Sequence, residues 1–300
     1  TPQYPWPLLK SQFGAAIWVK HENHTPTGAF KIRGGLVYFE NLAKQRDKVT
    51  GVIGATRGNH GQSVGYAAKK YGIPATIVVP QGNSREKNDA MRALGVELIE
   101  HGEDFQASRE RAGWIAQQRG LHLMPSFHPL LVRGVASYSL EFLRAVPDLG
   151  IVYVPIGLGS GICGMIAARD ALGSRTEIVG VVSEQAPAYA LSFEQRRPVD
   201  HPVTTRIADG LACRTPEPAA LAILQHGMAR VVRVSDDEVE AAMRRMYSAT
   251  HNGAEGAGAA ALAAAWQERG RLSGKNIGVV LSGGNVDRQI FAHVLAGGPC

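Results

Sequence analysis

VYVPIGLGSGICG, residues 152–164, decides the fold. An apolar run gives way to alternating glycines and then to a stretch with helical spacing. Strand, glycine loop and helix in that order make one βα unit whose strand is buried on both faces. Glycines at 157, 159 and 161 let backbone amides approach an anion, and Ser160 adds a hydroxyl donor. The next apolar strand ends at Glu184, about where a dinucleotide-binding unit keeps its ribose-binding acid. A nicotinamide oxidoreductase built on the 157–161 loop and Glu184 is therefore one reading of this stretch. Cys163 reads as small-residue helix packing.

The same order recurs along the chain. Candidate strands lie at 17–20, 51–55, 76–80, 97–100, 152–156, 178–183, 229–234 and 277–282, with helical periodicity between them, as at 61–71, 104–119, 134–146 and 236–250. Alternating β and α with nearly all-apolar strands predicts an α/β fold of parallel sheets flanked by helices. Eight strands strain one doubly wound sheet, so two lobes are expected. Residues 49–129 hold three βα units and form the small domain, and 1–48 with 130–300 form the large one. Ligands in such folds sit beyond the carboxyl ends of the strands, which directs attention to the loops at 56–61, 157–161 and 282–285.

Composition narrows the function classes. The 35 glycines exceed the usual share and cluster at strand ends, as α/β loops require and low-complexity tracts do not. A net charge of +6 hints at nucleic acid, but lysines and arginines form no long run and aromatics are not interleaved with them. No nucleic-acid partner is expected. Cys163, Cys213 and Cys300 are odd in number and lack metal-site spacing, which fits a reducing cytoplasm. No apolar run is long enough to span a membrane, and no signal peptide is visible. The chain opens on Thr1 rather than Met, so native residues are expected to precede it.

Three further stretches carry chemistry. In PTGAFKIRG, residues 26–34, the ammonium of Lys31 is flanked by Phe30 and Ile32. A desolvated lysine amine forms Schiff bases with carbonyl cofactors, whereas an ordinary lysine lays its stem on the surface and keeps its head in water. ATRGNHGQS, residues 55–63, runs from a strand into a helix, so amides near Gly58 to Gly61 make an anion site; a plain N-cap at Asn59 is the alternative. In VVLSGGN, residues 279–285, Ser282 ends a strand with two glycines beside it, suiting either a site hydroxyl or simple turn chemistry.

Together these stretches resemble the threonine/serine dehydratase and serine racemase family, the fold type II pyridoxal-phosphate enzymes. The resemblance runs in order through HENHTPTGAFKIRG, RGNHGQS, PIGLGSG, IADG at 207–210, AEGAGA at 254–259 and LSGGN. It implies that Lys31 is the Schiff-base lysine, with Gly157, Leu158, Gly159, Ser160 and Gly161 holding the phosphate of pyridoxal 5'-phosphate. By the same resemblance Asn59 bonds the ring hydroxyl, Phe30 lies against the ring, and Ser282 meets the pyridine nitrogen. Thr56, Arg57, Gly58, Asn59 and His60 would bind the substrate, its carboxylate on backbone amides. The implied activity is an ammonia-lyase that dehydrates a β-hydroxy amino acid to a 2-oxo acid and ammonia, in a homodimer. A serine at the ring nitrogen leaves the ring a weaker electron sink than a carboxylate would, which favours prompt loss of the β-hydroxyl.

The chain departs from the pattern at Arg57, where many relatives place a proton-carrying serine. Arginine cannot exchange that proton at neutral pH, so a two-base racemase is not expected. Arg57 could instead read a second substrate carboxylate, worth about 4 kcal/mol at ~4 Å and an effective dielectric near 20, before desolvation. That points to 3-hydroxyaspartate as an alternative substrate; an outward-facing Arg57, or one paired with Glu184, is the plainer reading. Positions 185–190, where some members hold a divalent metal on acids, carry no carboxylate, so no metal is expected there. No feedback through a regulatory domain after Cys300 is expected. His60 and Glu255 are explained nearly as well by helix capping and packing. A cofactor-binding protein without turnover is a third reading.

Overall fold

The computed structural model describes residues 1–44 and 49–297. Cys300 and the expected lobe boundary at residue 48 lie outside the described residues. The chain divides into two compact units, Thr1–Phe30 with Val135–Cys300, and Lys31–Gly134.

In chain order the elements are β1 (Gln3–Pro5), α1 (Pro7–Phe13), β2 (Ala16–His21), α2 (Lys31–Ala43), β3 (Val52–Ala55), α3 (Asn59–Tyr71), β4 (Ala75–Val79) and α4 (Arg85–Ala93). Next come β5 (Glu97–Glu100), α5 (Phe105–Arg119), β6 (His122–Leu123), α6 (Pro129–Ala145), β7 (Leu149–Pro155), α7 (Ser160–Ala171) and β8 (Glu177–Ser183). The remainder are α8 (Ala188–Gln195), α9 (Pro218–Gly227), β9 (Arg230–Val234), α10 (Asp236–Thr250), α11 (Gly256–Gln267), β10 (Asn276–Leu281) and α12 (Arg288–Ala296).

The first unit is built on a sheet of order β1-β2-β10-β7-β8-β9, parallel throughout except for the β1–β2 pair. Alternation along each strand sends Ile17, Val19, Ile151, Tyr153, Val179, Val181, Ile277 and Val279 to one face, where they meet α11. From Gly256 to Ala265 that helix is wholly buried, and its alanines leave room for the strand side chains. The opposite face is also covered: beside Gly180 lie Ile156, Ile162 and Met228, and beside Gly278 lies Phe142. Burial on both faces is what the uninterrupted apolar strands require.

The second unit holds a fully parallel sheet, β5-β4-β3-β6. Val52, Ile77 and Val79 join Val64 of α3 and Phe39 of α2 on one side, while Ile53 and Val78 meet Ala112 and Ile115 of α5 on the other. Each such aliphatic side chain taken fully out of water contributes about 1.5–3 kcal/mol.

All eight expected strands are present, some shifted by a residue or more at their ends. Two short ones, β1 and β6, have no counterpart in the sequence reading. α6 starts five positions ahead of the expected 134, at Pro129, because a proline without an N–H is tolerated in a first turn. The sequence reading assigned residues 31–48 to the large domain. Here α2 packs on α3 and belongs to the second unit.

Candidate active site

Within the first unit, four motifs far apart in sequence converge. The 156–159 turn links β7 to α7, and Gly159, the N-cap of α7, has φ +97°, a region that L side chains rarely enter. No side chain caps α7, so its first-turn amides are left for another acceptor. Ser160, the first residue of α7, is buried. A Cβ at Gly157 would collide with the carbonyl of Gly210 in the IADG turn. Gly210 in turn packs on Ala257 of the AEGAGA stretch, and a Cβ at Gly258 would strike the carbonyl of Gly283 in LSGGN. The glycines of these motifs are contact surfaces for one another.

Tyrosines steady this loop. The Tyr189 hydroxyl donates to the Leu158 carbonyl at 2.9 Å and accepts from the Glu217 amide at 3.1 Å. Tyr138 donates to the Gly161 carbonyl at 3.3 Å, and its ring meets Phe30 edge-on at 6.0 Å. Sequence reasoning missed both tyrosines, since neither stands in a motif. The Cys163 thiol is buried and pushed up to about 12, which fits packing and not nucleophilic chemistry.

Phe30 and Ser282 are tied through the main chain. The Phe30 amide donates to the Ser282 carbonyl at 3.0 Å, Ala29 bridges Gly283, and the Gly284 amide donates to Gly28 at 2.9 Å. Asn285 adds a bond to the Thr27 carbonyl at 2.8 Å. The Ser282 side chain is buried, and its hydroxyl makes one long contact, 3.5 Å to the Ala257 carbonyl. That length is at the limit of a hydrogen bond, so the donor keeps capacity for a better acceptor.

The second unit carries Lys31 and the 56–60 turn. Lys31 opens α2 and is half-buried; its carbonyl accepts from Ser63 at 2.7 Å. The buried Thr56 hydroxyl accepts from the Gly58 amide at 3.1 Å, shaping the turn into α3. The N-cap of α3 is Gly58 and not Asn59, and it has no side-chain cap, so the amides of the first turn point out uncapped, as an anion site requires. Arg57 is exposed, and no hydrogen bond or ion pair is found for it among the described residues.

His60 is the least satisfied group of this turn. Its Nε2 is sealed from solvent without a partner among the described residues. Burial and then the Lys31 charge hold the imidazole down at about 4, against a hydrogen bond to Pro125 that favours the proton. It is therefore a neutral ring with a lone pair facing the interior. A buried polar atom left unpaired costs about 1–3 kcal/mol, a cost seldom retained without use. Helix capping, one reading of His60, is excluded by this geometry. Two positions on, the buried Gln62 Nε2 also has no partner among the described residues.

A family model described as pyridoxal-phosphate dependent enzyme matches residues 1–283. The chain is 35% identical to the L-threonine ammonia-lyase of Geobacter sulfurreducens over 292 residues, covering 97% of this chain and 72% of that protein. It is 30% identical to the biosynthetic L-threonine dehydratase of Haemophilus influenzae, covering 98% of this chain and 58% of the relative, so it spans little more than half of that protein. The processed form of threonine deaminase isoform 2 from Solanum lycopersicum superposes with a TM-score of 0.92 at 29% identity, over 99% of this chain and 88% of that one.

The groups present suit that cofactor. Uncapped amides at α7 in a cradle a Cβ would fill accommodate a phosphate, Ser282 offers a neutral hydroxyl, and Phe30 offers an aromatic face. The nicotinamide reading of the 157–161 loop and Glu184 gives way to this match. The chain belongs to the family of pyridoxal-phosphate dependent enzymes.

Proposed function

We propose that this chain is an ammonia-lyase that dehydrates a β-hydroxy amino acid of the threonine or serine type, releasing a 2-oxo acid and ammonia. The observation that carries the reading is the convergence of the 157–161, 207–210, 254–259 and 282–285 stretches at the uncapped start of α7. Similarity to threonine ammonia-lyases and a threonine deaminase supports the reaction class.

When bound, pyridoxal 5'-phosphate supplies an aldehyde for the substrate amine and a ring that draws electron density from the α-carbon. The roles assigned to this chain's residues are as follows from their chemistry. Backbone amides at Gly157, Leu158, Gly159, Ser160 and Gly161 hold the phosphate. Phe30 would flank the ring, Asn59 would bond its hydroxyl, and Ser282 would meet its nitrogen without adding a charge. Lys31 would be the attachment point, and its amine, when free, would serve as the general base for the α-proton. Thr56, Gly58, Asn59 and His60 bind the substrate, whose carboxylate lies on the amides that begin α3. Arg57, exposed and unpaired among the described residues, supports a second reading in which the substrate is 3-hydroxyaspartate.

Cytoplasmic residence and a homodimer belong to the same proposal. The first is supported by Cys163 and Cys213, which are free thiols, and the second by the family resemblance. Among the described residues no helix is long and apolar enough to cross a membrane.

Colour and ammonia test the reading. Purified protein should be yellow, borohydride should bleach it and fix the cofactor on the peptide containing Lys31, and threonine or serine should yield ammonia. Lys31→Ala should end ammonia release while cofactor still binds through its phosphate. Unchanged turnover in that variant sinks the assignment, and yellow protein inert toward every β-hydroxy amino acid favours binding without turnover.

A further inference from the structure

Lys87 belongs to no motif of the site, yet just 7% of it is exposed. Lysine is seldom that far out of water, because removing an ammonium from it costs several kcal/mol unless something compensates. The packing of α4 on α3, both in the second unit, fixes its place. A Cβ at Gly61 would strike the Met91 sulfur, one at Gly65 would lie 3.2 Å from the Leu94 Cβ, and one at Gly58 would lie 2.5 Å from the Lys87 Cδ. Gly58, Gly61 and Gly65 thus form a groove along one face of α3. Lys87, Met91 and Leu94 fill it in the same order, so α4 runs in the same direction as α3. Apolar side chains occupy the groove along its length, and a lysine occupies its start.

That order says where the charge lies. Cγ, Cδ and Cε of Lys87 all come within 3.4 Å of the Cβ position at Gly58, so the stem crosses the N-cap of α3. Side chains on a helix lean toward its N-terminus, and the two helices run together, so Lys87 leads past the start of α3 and not back along it. Its Nζ is one C–N bond, ~1.5 Å, beyond Cε, which keeps it within about 5 Å of the Gly58 Cβ position.

Other donors of the same turn lack an acceptor. No side chain caps α3. Gln62, the fourth residue of α3, is more than nine-tenths buried, and its Nε2 has no partner among the described residues. It leans toward the same helix start. A sealed amide donor left unpaired costs about 1–3 kcal/mol. Unpaired donors beside a lysine call for an anion.

We propose that Lys87 is a further substrate-binding residue, its ammonium supplying the positive charge for the α-carboxylate held on the amides that begin α3. The inference rests on the lyase reading, which places the carboxylate there. It accounts for glycine at position 58, since any side chain there would push the lysine stem out of its groove. Lys87 and Arg57 then divide the work. The buried lysine, little screened by salt, serves the carboxylate that every amino acid carries, and the exposed arginine is left for a second one.

Calorimetric titration of the cofactor-loaded protein tests this without turnover. The ligands are 2-aminobutyrate, which has no β-hydroxyl to lose, and its primary amide, 2-aminobutanamide, which lacks the charge. The variants are Lys87→Met, which keeps the stem and drops the ammonium, and Lys87→Gln, each checked for a native thermal midpoint. Both should bind 2-aminobutyrate about tenfold more weakly than wild type and the amide within about twofold of it. With threonine, KM should rise about tenfold while kcat stays within about twofold. Equal weakening of the two ligands, or none of either, overturns the proposal. If the charge-dependent loss is seen but wild type releases no ammonia from any β-hydroxy amino acid, the lyase reading falls and the assignment of Lys87 stands.

Discussion

Replacing Gly159 by alanine isolates the phosphate cradle from the rest of the fold. Its φ of +97° costs an L-residue about 1–2 kcal/mol. The new Cβ would lie 2.8 Å from the Ala220 Cβ and 3.3 Å from the Tyr189 hydroxyl, and overpacking of that kind costs about 1–3 kcal/mol. Together they amount to about 2–5 kcal/mol, or roughly thirtyfold to several thousandfold if the loop bears the strain in its phosphate-binding form. Gly173 is the control: its φ is +62°, but nothing lies within 4 Å of a Cβ there. Gly173→Ala should therefore lose about 1–2 kcal/mol of stability and leave cofactor affinity alone. The assay is a spectroscopic titration of each cofactor-free variant with pyridoxal phosphate, beside a thermal unfolding curve. If Gly159→Ala binds the cofactor as tightly as Gly173→Ala does, the phosphate is not held by this loop.

Two other outcomes follow from the charged and titrating groups. Arg57→Ala should lower kcat/KM for 3-hydroxyaspartate about ten- to a hundredfold more than for threonine, and equal losses rule out a carboxylate-reading role. His21 and His60 are both held near 4, each chiefly by burial, and then by His24 and Lys31 respectively, against an ordinary 6.5. Between those values the unfolded chain takes protons that the native one refuses. Stability is therefore whole above 6.5 and declines as pH falls toward 4, by up to ~1.4 kcal/mol per pH unit for each ring. Urea unfolding at pH 7.5 and 5 should show this loss, and His21→Gln with His60→Gln should shrink it. A slope unchanged by both replacements would refute the account.

The parts of this molecule that were readable beforehand are those governed by local rules. Strands β7, β8 and β10 are continuous apolar runs because both faces of their sheet are covered, and the loops after β3, β7 and β10 declare themselves through glycines at strand ends. What remained hidden depends on partners distant in the chain. Tyr189 supports Leu158 across 31 positions, and no periodicity in its own helix announces that. β6 is two residues long and exists because His122 and Leu123 pair with Val52 and Ile53. A plain N-cap at Asn59, a good capping type, was one of two readings of the turn before α3; Gly58 occupies the cap, with no side chain bonded to the turn's amides. The unsatisfied nitrogen of His60 is legible only once Pro125 and Lys31 are placed beside α3.

The seat of β10 has a consequence for biosynthesis. Among the described residues it is the last strand in chain order, yet it is inserted between β2 and β7, pairing with both. Until residues 276–281 leave the ribosome, β2 and β7 each present a bare row of amides and carbonyls, the kind of edge that recruits other chains. The Lys31–Gly134 unit, contiguous in sequence, has all four of its strands long before then. A nascent chain halted ahead of Asn276 should thus carry a finished smaller lobe and a cleft, sticky larger one, the state most in need of a chaperone.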